Sequence, residues 1–373
     1  MRSRRSALAA RLPDFPWDTL ASAKQAAQSH PDGIVDLSMG TPVDDVPLAV
    51  QRALASAANA PGYPRTEGTP AFRAAVCEWL TNQWQVSGLD SSHVIATAGL
   101  KEAVASLPML LGLGPHDSIV IPELSYPTYE VGAITAGARV IRAASIDDWA
   151  GDDSVALVWL NSPANPTGRI MSADELRATV DAARGLGAIV ASDECYLDLW
   201  WTGPRPTSVL SDAVCGGEHQ GLLALHSLSK RSNLAGYRVG SIAGDPKLVA
   251  ELLAARKHLG LMVASPNVAA ATAAYIDSES VTEQHERYRR RRDLLVPALE
   301  QAGLRIEHSE GSLFLWATED KDCWSTVSRL AKIGVLVAPG VFYGPSGSSH
   351  VRIALTATDE HIENASKRLR ACP

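Results

Sequence analysis

Lys230 ends the segment His226-Ser227-Leu228-Ser229-Lys230, directly after the apolar run Leu222–His226. A lysine at the end of such a run and near a pocket is desolvated. It loses its proton more readily and becomes a nucleophile toward a carbonyl. Taken alone it also reads as a solvated lysine, the commoner state of this residue. A second run, AIVASDECY, ends on Asp193 with Tyr196 three residues on. A carboxylate there can hold a protonated ring nitrogen, and a phenol beside it can hydrogen-bond a ring oxygen. Asn161-Ser162-Pro163-Ala164-Asn165-Pro166-Thr167-Gly168 is a backbone stiffened by two prolines, suited to presenting the Asn165 amide. Ala98-Gly99-Leu100-Lys101-Glu102 opens a helical pattern, whose free N–H groups favour an anion such as phosphate. Arg238 can add a fixed positive charge to that anion. Each segment alone also reads as an ordinary turn, loop acid or packing residue.

All of these residues but Arg238 follow apolar runs. Strands are expected at His93–Ala96, Ser118–Ile121, Val155–Leu160, Ala188–Ser192, Leu222–His226 and Arg238–Ala243. Helical patterns such as Lys101–Leu111, Ser172–Leu186 and Pro246–His258 lie between them. Strand then helix, repeated, predicts an α/β fold with a mostly parallel sheet covered on both faces. Ligands sit beyond the carboxyl ends of such strands, where the residues above fall. From about Pro266 the pattern changes to a long helix, about Ser280–Ala302. Short strands follow at Leu304–His308, Leu313–Ala317, Val335–Ala338 and Val351–Leu355, with a last helix from Asp359. This predicts a smaller α+β unit, with the segment before about Asp45 packed against it.

Composition removes other classes. The chain has 373 residues, 46% of them hydrophobic and 20% charged, and a formal charge of −7. That is a globular chain of about two domains, not a phosphate-neutralising nucleic-acid binder. The run Arg287–Arg292 has acids around it and is read as a solvated or interface helix face, not a nucleic-acid patch. The longest apolar stretch, Ala103–Gly114, contains Pro108 and falls short of the about 20 residues a membrane helix needs. The first residues lack the apolar core of an export signal, so a cytoplasmic protein is expected. Five scattered cysteines without a CxxC pair, and ten histidines without HExxH spacing, give no disulfide framework and no metal site. Cys195 has no partner at recognisable spacing for a thiol nucleophile.

An amine nucleophile, a partner for a pyridinium, a phenol, an amide and a phosphate cup in one chain describe a single ligand, pyridoxal 5′-phosphate. The motifs NSPANPTG, SDECY and SLSK, with AGYRVG downstream, resemble the fold-type-I aminotransferases of class I and II, from about Ile34 to Leu369. The resemblance implies an aspartate-aminotransferase-like fold. A large domain (46–265) would carry a seven-stranded sheet, and residues 1–45 and 266–373 would form the small domain. It makes Lys230 the lysine that joins the cofactor aldehyde as an imine and acts as general acid and base in a ping-pong reaction. Asp193 becomes the ring-nitrogen partner, and Asn165 and Tyr196 bind the ring oxygen. Ser227, Arg238, Tyr126, Lys101 and the backbone of Gly99 and Leu100 also contact the cofactor, Tyr126 by stacking on its ring. Leu100 replaces the small hydroxyl residue common in the family. Tyr63, in GYPRTEG, would reach the neighbouring subunit's phosphate, implying a homodimer. Arg352, in HVRIAL, and Gly40, in SMGTP, would bind the substrate carboxylate along with Asn165.

Within the family, FPWDTL, DGIVDLSMGTPVD, KHLGLMV and EGSLFLWAT are similar to the actinobacterial N-succinyldiaminopimelate aminotransferases of lysine biosynthesis. The same cofactor residues would serve another aminotransferase or a carbon–sulfur β-lyase. A cofactor-sensing regulator would need a DNA-binding module, and no convincing helix-turn-helix precedes the core.

Overall fold

The computed structural model describes residues 7–372. Residues 1–6 and 373 lie outside them, and with them part of the segment read as lacking an export signal and both ends of the expected small domain. Among the described residues thirteen strands form three sheets. The first, β1 (Val35–Asp36), is followed by β2 (Val94–Thr97), β3 (Ser118–Pro122), β4 (Arg139–Ala143), β5 (Val155–Asn161), β6 (Ile189–Asp193), β7 (Leu222–Ser227) and β8 (Gly240–Gly244). The smaller unit carries β9 (Arg305–Glu307), β10 (Phe314–Thr318), β11 (Val335–Leu336), β12 (Ala338–Pro339) and β13 (His350–Ala354).

The large sheet has the order β2-β8-β7-β6-β5-β3-β4. Its five strands from β7 to β4 are parallel, and β8 runs antiparallel to both neighbours. The central strands are near-continuous apolar runs because helices cover both faces. The connecting helices start on chemistry the sequence supplies. Ser172 and Glu175 form a capping box before Ala173–Gly185. Asp245 caps Pro246–Leu259, which ends at Gly260 in a left-handed conformation.

Three expectations change. The strand β4 reads RVIRA and is the sheet's outer edge, where arginines flank a half-buried centre, so no clear apolar run marks it. The strand expected from Arg238 starts at Gly240, because Arg238 takes a left-handed φ of 51°. The run Val335–Ala338 splits in two. The first half, β11, pairs in parallel with β1, and β12 pairs antiparallel with β13. Through that β1–β11 pairing the N-terminal segment joins the smaller unit.

The arginine run also differs from expectation. It lies on the helix Glu279–Gln301, yet Arg291 is buried rather than solvated. It donates to both Asp44 oxygens at 2.6 and 2.8 Å, and its Nε donates to Asp359 at 2.6 Å. That residue therefore ties the N-terminal segment to the helices of the smaller unit.

Candidate active site

Strand register brings the chemistry together. Asn161 lies beside Asp193 across β5 and β6, and Asp193 beside Leu225 across β6 and β7. Ser227 ends β7 opposite Gly240 of β8. Parallel strands in register end on one level, so residues more than sixty positions apart meet at one rim. A cavity of about 480 Å³ opens there. Gly40, Leu100, Lys101, Tyr126, Asn165, Asp193, Tyr196, Ser227, Lys230, Arg238 and Arg352 all line it. Tyr63 does not: it is 98% exposed on the surface.

Ser227 caps the four-residue helix Leu228–Arg231, its Oγ accepting from the Ser229 N–H at 3.1 Å. That turn aims Lys230 into the cavity, where Nζ donates to the Gly40 carbonyl. Burial lowers the Lys230 ammonium to about 8. Amine labelling of the cofactor-free chain should then give Lys230 half-maximal reactivity near pH 8, against about 10.4 for an ordinary lysine. A midpoint above about 10 would show a solvated ammonium.

Asp193 is buried, and burial pushes its carboxyl upward. The Cys195 N–H at 3.2 Å and the Tyr129 hydroxyl at 2.9 Å donate to it and oppose the shift. A buried carboxylate with acceptor capacity left over, beside a lowered lysine, fits a ligand that brings a cationic ring nitrogen. The phosphate end fits as well. Gly99 has φ +74°, and a Cβ there would come within 2.3 Å of Arg238 Nη2, so glycine alone lets that guanidinium approach the helix start at Leu100. Arg238 itself is anchored by donating from Nη1 to the Ala235 carbonyl at 2.9 Å. Beyond it, Lys101 Nζ lies 5.4 Å from the centroid of Phe15.

Arg352 is the buried cation at the other end. It donates from Nη1 to Asn165 Oδ1 and from Nη2 to the Ser38 carbonyl, both at 2.8 Å. Its plane lies 3.8 Å from the Phe314 ring centroid. Two of its five N–H donors are thus engaged by protein and the fork is held rigid for a carboxylate. Tyr196 packs edge-on against Phe314, at 5.7 Å between centroids, and burial drives its phenol well above the usual range, so it is a neutral donor. Tyr126 sits edge-on to Tyr129 at 5.9 Å.

Sequence reading passed over Tyr129, whose hydroxyl supports Asp193 while its ring stacks on Trp159 at 4.8 Å. The signal was the second tyrosine of SYPTY, one helical turn from Tyr126. Tyr129→Phe keeps the stack and removes the donor, so Asp193 becomes harder to ionise. The acid limb of the activity profile should move up by about 0.5–1 pH unit, the equivalent of a hydrogen bond worth roughly 1 kcal/mol. An unmoved limb would show that Tyr129 only packs.

Comparison with known proteins agrees with this geometry. The model of the family described as aminotransferase class I and II matches residues 32–369. The chain is 53% identical to a "Probable aminotransferase" of Mycobacterium tuberculosis, over 98% of this chain and 87% of that one. It is 52% identical to the 4-dedimethylamino-4-oxo-anhydrotetracycline transaminase of Streptomyces rimosus, over 96% and 99%. Among solved structures, a "probable N-succinyldiaminopimelate aminotransferase" of Thermus thermophilus aligns with a TM-score of 0.86 at 28% identity, over 96% and 100%. The N-succinyldiaminopimelate aminotransferase of Mycobacterium tuberculosis shares the fold at TM-score 0.87 and 23% identity, over 99% and 100%. A buried lysine and carboxylate at one sheet rim, an anion cup at a helix start and a family match across nearly the whole chain lead to one conclusion: this protein is a pyridoxal-phosphate-dependent aminotransferase of class I and II.

Proposed function

We propose that the chain moves an amino group from glutamate to N-succinyl-2-amino-6-oxopimelate, giving N-succinyl-L,L-diaminopimelate and 2-oxoglutarate, in the cytoplasm and as a step of lysine biosynthesis. The observation that carries this reading is the lining of the cavity. Its walls combine the buried Arg352 with Met39, Gly40, Trp17, the half-exposed Phe15 and Lys101. A long acid with one carboxylate on Arg352 can lay its chain along that apolar wall and carry its far carboxylates toward open solvent and Lys101. The two structural relatives named for the succinylated substrate support it.

Pyridoxal phosphate, when bound, supplies an electron-accepting ring that makes the substrate Cα–H acidic. The residues of this chain do the rest. Arg352 grips the α-carboxylate and orients the substrate. Lys230 Nζ, as neutral amine, takes the Cα proton and returns it one position away. Asp193 stays ionised against a ring nitrogen. Asn165 and Tyr196 would hydrogen-bond the ring oxygen, Tyr126 would stack on the ring, and Ser227, Arg238, Lys101, Gly99 and Leu100 would hold the phosphate. Residues 46–265 form the cofactor domain, and 1–45 with 266–373 the small one. Tyr63, exposed in one subunit, reaches the site of a second in a homodimer, which light scattering and the loss of cofactor affinity in Tyr63→Phe test together.

The relative from Streptomyces rimosus favours a second reading, a ketone carried on a bulky ring system. The half-exposed Phe15 in the cavity wall would suit such a ring. A donor and acceptor panel with the purified holoenzyme separates the two. The first reading expects the succinylated keto acid to be the best acceptor. Good turnover of a polycyclic ketone, of aspartate or of aromatic acids, with the succinylated compound ignored, overturns it.

A further inference from the structure

A second cavity, of about 490 Å³, lies between the helix Pro70–Trp84 and the start of the helix Glu279–Gln301. It shares no wall residue with the cavity that holds Lys230. Nothing in transamination uses it. Its apolar walls combine the aromatic Trp79, Trp200 and Tyr275 with the aliphatic Ala75, Ile276 and Val281. Its most available charge is Arg205. That guanidinium's Cζ lies 4.2 Å from the Trp84 ring centroid and 5.2 Å from that of Trp200. Among the described residues no carboxylate lies within 4.0 Å of it. Two indoles therefore hold a cation in place, with Asp198 acting on it only from beyond 4.0 Å, which is a preorganised anchor for an anion.

The remaining charges limit what that anion can be. Asp198 is engaged by Arg231 and His226, each at 3.4 Å. Glu78 stands exposed at the rim. Two guanidiniums against two carboxylates leave the walls formally neutral, which disfavours a polyanion such as a nucleotide phosphate. The aromatic walls favour a flat ring, whose edge or face packs on indole.

We propose that this cavity binds a planar aromatic monocarboxylate, its ring against Trp79 and Trp200 and its carboxylate on Arg205. The site is separate from the substrate cavity but touches its support. Arg231, in its wall, follows Lys230 on the same four-residue helix. The inference does not rest on the substrate reading, because it uses no residue of the first cavity.

Calorimetric titration of the holoenzyme with 2-naphthoate, which has no amino or keto group to react, tests it. One binding event per chain is expected, retained in Arg352→Gln and weakened at least about tenfold in Arg205→Ala, as for loss of a charge-assisted contact. Thr282→Trp, on an exposed position of the cavity wall, should block binding by filling the space, and it keeps the test valid if Arg205→Ala fails to fold. The proposal is overturned if no binding is seen at millimolar naphthoate. It is equally overturned if binding survives both Arg205→Ala and Thr282→Trp, or disappears in Arg352→Gln, which would place the ring in the substrate cavity.

Discussion

Lys230→Ala lowers turnover by at least about 10⁴-fold, with no compensating change in substrate affinity. The estimate follows from general acid–base catalysis, which supplies roughly 10²–10⁴ by itself, and from loss of the covalent anchor in the same substitution. The residue earns two roles from one location. Its amine is lowered to about 8 by burial, so near neutral pH a useful fraction is free to accept a proton. It also shares one cavity with Asp193 and Arg352, the groups that would hold the ring nitrogen and the substrate carboxylate. Single-turnover kinetics of the glutamate half-reaction measure the effect. Borohydride reduction of the wild-type holoenzyme, followed by peptide mapping, should place the cofactor on the peptide that contains Lys230. Near wild-type turnover by the alanine variant, or attachment at another lysine, would remove the central assignment.

Arg352→Ala should reduce kcat/KM by about 10²–10³. That corresponds to the 2–5 kcal/mol typical of deleting one partner of a buried, hydrogen-bonded charge pair with substrate. Most of the loss should appear in KM, because the carboxylate is gripped in ground state and transition state alike. The substitution also orphans Asn165 Oδ1 and the Ser38 carbonyl, which both accept from this guanidinium. A melting measurement therefore accompanies the kinetics. Arg352→Lys separates the two effects. It restores a charge but not the planar fork, and it should recover less than about a tenth of the lost specificity constant. If lysine restored full activity, charge alone would account for the site and the bidentate grip would be wrong.

Much of the site was legible before any coordinates. Lys230, Asp193 and Asn165 each stand at the end of an apolar run or in a stiff turn, and the carboxyl ends of parallel strands are where such residues must converge. The alternation of strand and helix was equally plain, because central strands such as β5 and β7 are buried on both sides and read as unbroken apolar runs. The edge strand β4 was not, because its two arginines, one exposed and one half-buried against Glu130, break the apolar run. The strand β8 was started two residues too early, at Arg238, since a left-handed residue does not differ in type from an extended one. The short strands β11 and β12 merged into one for a similar reason. Their split depends on which partner each half pairs with, and those partners, β1 and β13, are far away in the chain.

Local residue types and their order were enough to specify the chemistry and the class of fold, because helix caps, apolar periodicity and turn residues act within a few positions. Only three-dimensional packing decided that Tyr129 supports Asp193, that Arg291 is buried against Asp44 and Asp359, and that a second cavity with a stacked Arg205 exists. Each of those depends on contacts between side chains at least 64 positions apart or on space left between elements, and no local pattern encodes either.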